Sequence, residues 1–427
     1  MKHAGQSQIL SKIVSPYGLA AISYAFFLFA TSIPATTYSR YMNEPDMMFL
    51  DTTTILFYTL CVASFIAGVW FISNLFPSAF IDRRIDTRIN PTALIMVPLV
   101  LAIAIAAIVD TYLVKNYPVI LVSLLAQRGG DIKETVALDV DGHLNFAPLF
   151  LIGVTWWAFW RYSELDLRGW RRRLVAFSIL VAVLTIVVSA TLTLSRDTVM
   201  LGVFGLAISY IARCTKNGQI SPEFILKSSL TMVIGIASLF FAFSFLRGNA
   251  NWDDQIRTLM GYTAASYNRL AAIVNGRLHY PFAGGGIYLS NVVAHSRFLL
   301  IGKILQSPSG IDVWGSEFGA VSQAGLDGSL IWSGAFGDIF TELGWFSPLF
   351  VFGYGILYGV VWSWIKRGKV LGVVLYPFFG FCVLFWLGTN YLLDQPAEVL
   401  LSIAVLLSIY ESVFVRFGKP FLSAEIG

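Results

Sequence analysis

Residues 54–76 read TILFYTLCVASFIAGVWFISNLF, with no Asp, Glu, Lys, Arg or His among them. A helix crossing the roughly 30 Å hydrocarbon core of a bilayer needs about 20 apolar residues, and this stretch supplies them. No soluble strand or loop of that length is so uniformly apolar. In lipid, a chain segment satisfies its backbone hydrogen bonds internally only as a helix or within a closed barrel. The stretch is therefore read as a transmembrane helix.

Working outward, apolar runs of similar character lie at about 17–38, 94–114, 146–162, 174–194, 198–212, 224–246, 336–365, 370–391 and 399–416. With 54–76 they predict a polytopic, all-α bundle of about ten spans. The 198–212 run is short, and the polar start of the 336–365 run is placed at the outer interface. Pro118 interrupts a further apolar piece, 117–126, which is read as a re-entrant or interfacial segment. Composition agrees with a membrane protein. The 427 residues are 56% hydrophobic and only 13% charged, with a mean hydropathy of +0.71, against roughly 25% charged in soluble domains. A net charge of only +4 gives no footing to nucleic-acid binding. Cys61, Cys214 and Cys382 form no CxxC and suggest no external disulfide. The first apolar run follows Lys2 and Lys12 but is longer than a signal-peptide core, and is read as an uncleaved first span.

Basic residues set the orientation. With the N-terminus in the cytoplasm, Arg83, Arg84, Arg88, Arg161, Arg168, Arg171, Arg172, Arg173, Arg213, Lys216, Lys366, Arg367, Lys369, Arg416 and Lys419 all fall inside, and both termini are cytoplasmic. Acidic residues concentrate on the other side. Three regions follow: an N-terminal bundle (1–246), a large outer segment (247–335) and a C-terminal bundle (336–427). The outer segment is long for a loop. It is rich in Tyr and Trp, and helix-like over about 256–275 and 286–306, so it is expected to fold as a cap.

Several chemistries are absent. There is no Walker A loop and no HExxH, no GxSxG elbow, and His3, His143, His279 and His295 lack metal-ligand spacing. No metal or cofactor is expected. Arg196 lies in Ser195-Arg196-Asp197 between two apolar runs; an ionisable group near membrane depth marks function by default, although a hairpin tip pairing Arg196 with Asp197 explains it as well. The outer segment carries Arg247, Arg257, Arg269, Arg277 and Arg297 against the single Lys303. Guanidinium groups bind phosphate oxygens bidentately, so an arginine-lined hollow suits a lipid diphosphate; salt bridges to Asp253, Asp254 and Glu317 are the plainer reading for any one of them. His279 and His295 could accept a sugar hydroxyl proton. Asp338 and Glu342, four apart, share a helix face and serve either as a base with its orienting partner or as acids at a helix start. Gly353, Gly355 and Gly359 are read as helix-packing residues.

Three pieces together resemble the Wzy-type oligosaccharide repeat-unit polymerases of bacterial surface polysaccharide assembly. They are Thr193-Leu194-Ser195-Arg196-Asp197 opening an apolar helix, Phe245-Leu246-Arg247-Gly248 where a span leaves for the large loop, and the 334–345 stretch GAFGDIFTELGW entering the next span. The resemblance covers about residues 190–365; no Arg-x10-Gly repeat accompanies it. It implies a metal-independent glycosyltransferase on the periplasmic face of the bacterial inner membrane, joining undecaprenyl-diphosphate-linked repeat units, with a chain-length regulator as a candidate partner protein. Arg196, Arg247, Arg269, Arg277 and Arg297 would hold the departing diphosphate, and His279, His295, Asp338 or Glu342 would take the acceptor proton. An O-antigen-type ligase shares this architecture. A lipid-linked oligosaccharide flippase would instead call for internal symmetry and midplane charges.

Overall fold

In the computed structural model the described residues are 12–42, 44, 49–76, 91–126, 143–165, 167–192, 195–217, 238, 241, 245, 251–289 and 310–417. Among them every regular element is helical. Six helical stretches are long and apolar enough to cross a membrane, or seven if a bent pair at the start counts as one span. The 224–246 run lies almost wholly outside the described residues, so the tenfold crossing read from sequence reduces to this smaller number of described spans.

The bent pair is α1 (Pro16–Thr31) and α2 (Ala35–Met42), which meet at 90°. The run read as one span at 17–38 thus turns sideways after Thr31. The quoted stretch forms α3 (Thr52–Leu75), capped by Asp51, whose carboxylate accepts from the Thr54 amide at 2.9 Å. Next comes α4 (Pro91–Leu125), which overturns one expectation: it continues through Pro118 without a break. A proline inside a helix removes one backbone donor, and a membrane bundle tolerates that where neighbouring groups satisfy the freed carbonyl. Then follow α5 (His143–Glu164), α6 (Gly169–Leu192) and α7 (Arg196–Asn217).

The 247–335 segment holds α8 (Trp252–Tyr262) and α9 (Ala264–Val274), separated by Thr263, where a single helix had been expected. It also holds α10 (Gly310–Gln323), which the sequence reading did not include. The expected helix at 286–306 falls mostly outside the described residues. The 336–365 run divides into α11 (Ala335–Leu343) and α12 (Ser347–Lys366), because Gly344 adopts a positive φ of 53° between them. The chain closes with α13 (Val370–Leu384) and α14 (Gln395–Phe417).

The short α13 is the axis of the bundle. Its residues are almost all buried, and α1, α5, α7, α12 and α14 pack around it. The outer surface is inverted relative to a soluble protein. On α6, Phe177, Leu180, Leu184 and Val188 point outward, while Ser178, Ala182, Ser189 and Ala190 point in. Lipid gives no hydrophobic drive between helices, so small residues line the contacts and large apolar ones face the acyl chains.

The tightest contact joins α3 and α12. A Cβ added at Gly68 would overlap the carbonyl oxygen of Phe352, and one at Gly355 the carbonyl oxygen of Phe65. A Cβ at Gly359 would meet the Ile72 side chain instead of backbone, whereas Gly353 faces open space. The GxxxG of α12 therefore packs as expected, Gly353 stands outside the seam, and Gly68 is the partner the spacing alone did not reveal.

At the end of the bundle away from α8–α10, Arg161 is a buried hub. It donates from Nε and Nη2 to the two Glu411 oxygens at 2.8 and 2.7 Å, and from Nη1 to Glu164 at 2.5 Å. The Trp157 indole N–H also donates to Glu411 at 2.6 Å, so the ends of α5 and α14 are joined. The Gly355→Ala variant should lower the melting temperature of the detergent-solubilised protein, at about 1–3 kcal/mol for a methyl forced against backbone, while Gly353→Ala should be neutral or slightly stabilising, by up to roughly 1 kcal/mol. Equal effects of the two would refute the glycine seam.

Candidate functional site

The cap is organised around one buried ion pair. Glu44 follows α2 and is 1% exposed; Arg269 on α9 is fully buried. Arg269 donates from Nη2 to Glu44 at 2.6 Å and to the Asp327 carbonyl at 2.9 Å, from Nη1 to the Ala265 carbonyl at 3.0 Å, and from Nε to the Leu330 carbonyl. Glu44 also accepts from the Tyr38 hydroxyl at 2.5 Å, the Asp327 amide at 2.7 Å and the Asn268 amide group at 3.3 Å. A charge pair this deep persists only when further hydrogen bonds surround it, and here Glu44 accepts four and Arg269 donates four. The guanidinium read as a diphosphate ligand is thus committed to holding α2, α9 and the 327–330 turn together.

The other predicted residues separate as well. Arg277 and His279 are exposed just past the end of α9, and Arg277 lies over the Phe49 ring at 4.4 Å. Arg257, also in the cap, pairs with Asp327 at 2.6 Å, not with the acids proposed from sequence; Asp253 and Asp254 occupy the first turn of α8. Arg196 is the first residue of α7. Arg247, His295 and Arg297 lie outside the described residues.

Asp338 and Glu342 do share α11, but they face different partners. Glu342 accepts the backbone N–H groups of Gly286 at 2.8 Å and Tyr288 at 3.0 Å, which pins the glycine-rich turn where Gly284 and Gly286 take positive φ. Asp338 is partly exposed. It accepts from the Ser333 hydroxyl at 3.3 Å and, through its other oxygen, from the Thr389 hydroxyl and the Asn390 amide at 3.2 Å each. The start of α11 is registered against the same segment by backbone alone: the Gly334 amide donates to the Gly388 carbonyl at 3.0 Å and the Ala335 amide to the Trp386 carbonyl at 2.9 Å. Asn390 in turn donates to the Tyr354 hydroxyl at 3.1 Å.

Glu317 on α10 completes the cluster. Burial first, and then the charge of Asp338, push its carboxyl up to about 8. Burial, reinforced by Glu317, also pushes the phenols of Tyr280 and Tyr288 upward, so both stay neutral in the physiological range. Asp394 adds a further negative charge near Asp338. Asp197 and Asp394 both act on Tyr391, which brings the Arg196 end of α7 to the same end of the bundle. The arrangement offers hydrogen-bond acceptors and a partly exposed carboxylate at the edge of an apolar bundle. Among the described residues no group of three His, Cys, Asp or Glu is placed to hold a metal ion.

Asp338 and Glu342 were candidates in the sequence reading, whereas Glu317 was read only as an ion-pair partner for arginines. No local signal marks it, since α10 is glycine-rich and its neighbours come from elsewhere in the chain. No protein-family model, characterised protein or solved structure matches the chain.

Two outcomes are expected. Arg269→Ala should leave Glu44 buried and unpaired, costing about 3–5 kcal/mol; the protein should be depleted from membranes or melt early, and a stable but inactive Arg269→Ala protein would overturn the architectural reading. The folded chain keeps the Glu317 proton up to about pH 8, whereas the unfolded chain releases it near the ordinary 4.5. The Glu317 contribution is therefore complete below 4.5 and is lost as pH rises toward 8. Melting curves of wild type and Glu317→Gln across that window should diverge, with wild type losing more stability; parallel curves would refute the shift.

Proposed function

We propose that the protein is a polysaccharide polymerase of the Wzy type. It would join oligosaccharide repeat units carried on undecaprenyl diphosphate, at the periplasmic face of a bacterial inner membrane. The carrying observation is Asp338: a partly exposed carboxylate, held through both oxygens by Ser333, Thr389 and Asn390, at the bundle end where α7 begins with Arg196. The resemblance over residues 190–365 and the helical membrane architecture support the same reading.

In this reading the acceptor sugar hydroxyl gives its proton to Asp338 as its oxygen bonds to the anomeric carbon of the donor chain. The bond from that carbon to the phosphate oxygen breaks, and its electron pair leaves on undecaprenyl diphosphate. Arginine charge stabilises the leaving group; Arg277 is the candidate with a described, exposed side chain, and Arg196, Arg247 and Arg297 are the further candidates read from the sequence. Arg269 keeps the cap folded and Glu342 keeps the 286–288 turn in place. His279, exposed to solvent, has no comparable set of positioning contacts. The apolar flanks of the bundle suit a carrier whose tail stays in the bilayer while its diphosphate reaches the polar end.

The test is a gel of surface polysaccharide from cells lacking the gene, complemented with wild type or Asp338→Asn. Deletion should replace the ladder by cores bearing one repeat unit. Asp338→Asn should reach the membrane at normal level and cut chain growth by about a hundredfold or more, as loss of a general base does. Bare core in the deletion strain would point to a ligase or a flippase, and a full ladder from Asp338→Asn would remove Asp338 from the chemistry.

A further inference from the structure

The first turn of α6 concentrates positive charge at the end of the bundle away from the cap. Arg171, Arg172 and Arg173 are consecutive there and all three are exposed, while no acidic residue stands in that turn. A helix start disfavours cations, and like charges this close repel. The acids described at this end are already engaged. Glu164 accepts from Arg161 at 2.5 Å and has Arg213 at 3.6 Å, and Glu411 accepts from Arg161 at 2.8 and 2.7 Å. Asp166 lies outside the described residues.

The three guanidinium groups divide between two sides of the helix. Arg172 turns toward α5, where its Nε donates to the Tyr162 hydroxyl at 3.2 Å. Arg171 lies over the Trp170 ring, 5.7 Å from its centroid. Arg173 follows Trp170 by three residues and so shares its face. Trp170 is 65% exposed and heads the outward stripe of Leu174, Phe177, Leu180 and Leu184. A tryptophan at the end of a lipid-facing stripe belongs at headgroup level, where its ring meets both media. At 1.5 Å per residue the stripe from 174 to 184 rises about 15 Å, roughly the depth of one leaflet. An acyl chain lying on it places its phosphate beside Arg171 and Arg173.

We infer that this turn is a docking surface for the headgroup of an anionic phospholipid in the leaflet opposite the cap. Arg171 and Arg173 take the phosphate, Trp170 stands at headgroup level, and the acyl chain follows the apolar stripe of α6. Guanidinium forks meet phosphate oxygens in pairs, and basic segments beside a membrane span draw anionic lipids. The surface is separate from the Asp338 end and does not depend on the polymerase reading.

The test uses full-length protein in zwitterionic detergent, mixed with equal amounts of phosphatidylglycerol and phosphatidylcholine. Native mass spectrometry then counts the lipids that stay bound. Wild type should retain phosphatidylglycerol in preference, and the double variant Arg171→Gln/Arg173→Gln should lower that retention by about tenfold, as expected for two cations beside a headgroup. Arg40→Gln, which removes an exposed cation of α2 at the cap end, should leave it unchanged. Both variants should melt with wild type in lipid-free detergent, which separates a lipid contact from a structural role. Equal retention of the two lipids by wild type, undiminished phosphatidylglycerol on the double variant, or the same loss in Arg40→Gln overturns the surface. Displacement of phosphatidylglycerol by inorganic phosphate, beyond that caused by chloride at equal ionic strength, marks a site for a free anion and overturns the lipid assignment.

Discussion

The pairing of Glu44 with Arg269 organises everything at the cap end. Two charges withdrawn from water are favourable only inside a complete set of partners, and assembling that set requires α2, α9 and the 327–330 turn to arrive together. Tyr38 and Asn268 are drawn in by the same requirement. The right-angled bend after Thr31 follows from it as well, since α2 must leave the direction of α1 to deliver Glu44. Once α9 is seated, Leu278, Tyr280 and Tyr288 form a small apolar core with Val313 and Val321, and that core carries Glu317 toward Asp338.

The opposite end repeats the logic with a different purpose. Arg161, Glu164 and Glu411 are enclosed with Trp157, and their task is to hold helix ends that lipid alone would not press together. Between the two polar knots the bundle relies on close packing: glycine against glycine in α3 and α12, and small residues turned inward on α6. Polar interactions at the ends and steric fit in the middle divide the work as expected where the solvent changes from water to hydrocarbon and back.

Much of this architecture was legible in the sequence because the bilayer imposes a length. The runs around α3, α6 and α14 needed only counting, and the paired acids of α11 were visible from their spacing. What could not be read depended on distant partners. Pro118 breaks an isolated helix pattern, yet α4 passes through it. Gly68 is unremarkable until α12 lies against it. Arg269 looks like its neighbouring arginines, because only the position of Glu44, 225 residues away in the chain, tells a structural guanidinium from a ligand-binding one. Glu317 became a member of the site for the same reason: its environment is assembled by α11 and the 286–288 turn, not by the residues beside it.

The two amide-to-carbonyl bonds that join Gly334 and Ala335 to Gly388 and Trp386 have a consequence for how such a protein can diversify. They align the segment bearing Asp338 with the segment bearing Asn390 using main-chain atoms alone, so the alignment does not depend on which side chains occupy those positions. Side chains on the neighbouring surface are then free to change without disturbing the register of Asp338 against Thr389 and Asn390. Across a lineage, the two segments would stay aligned while the chemistry of their exposed side chains drifts.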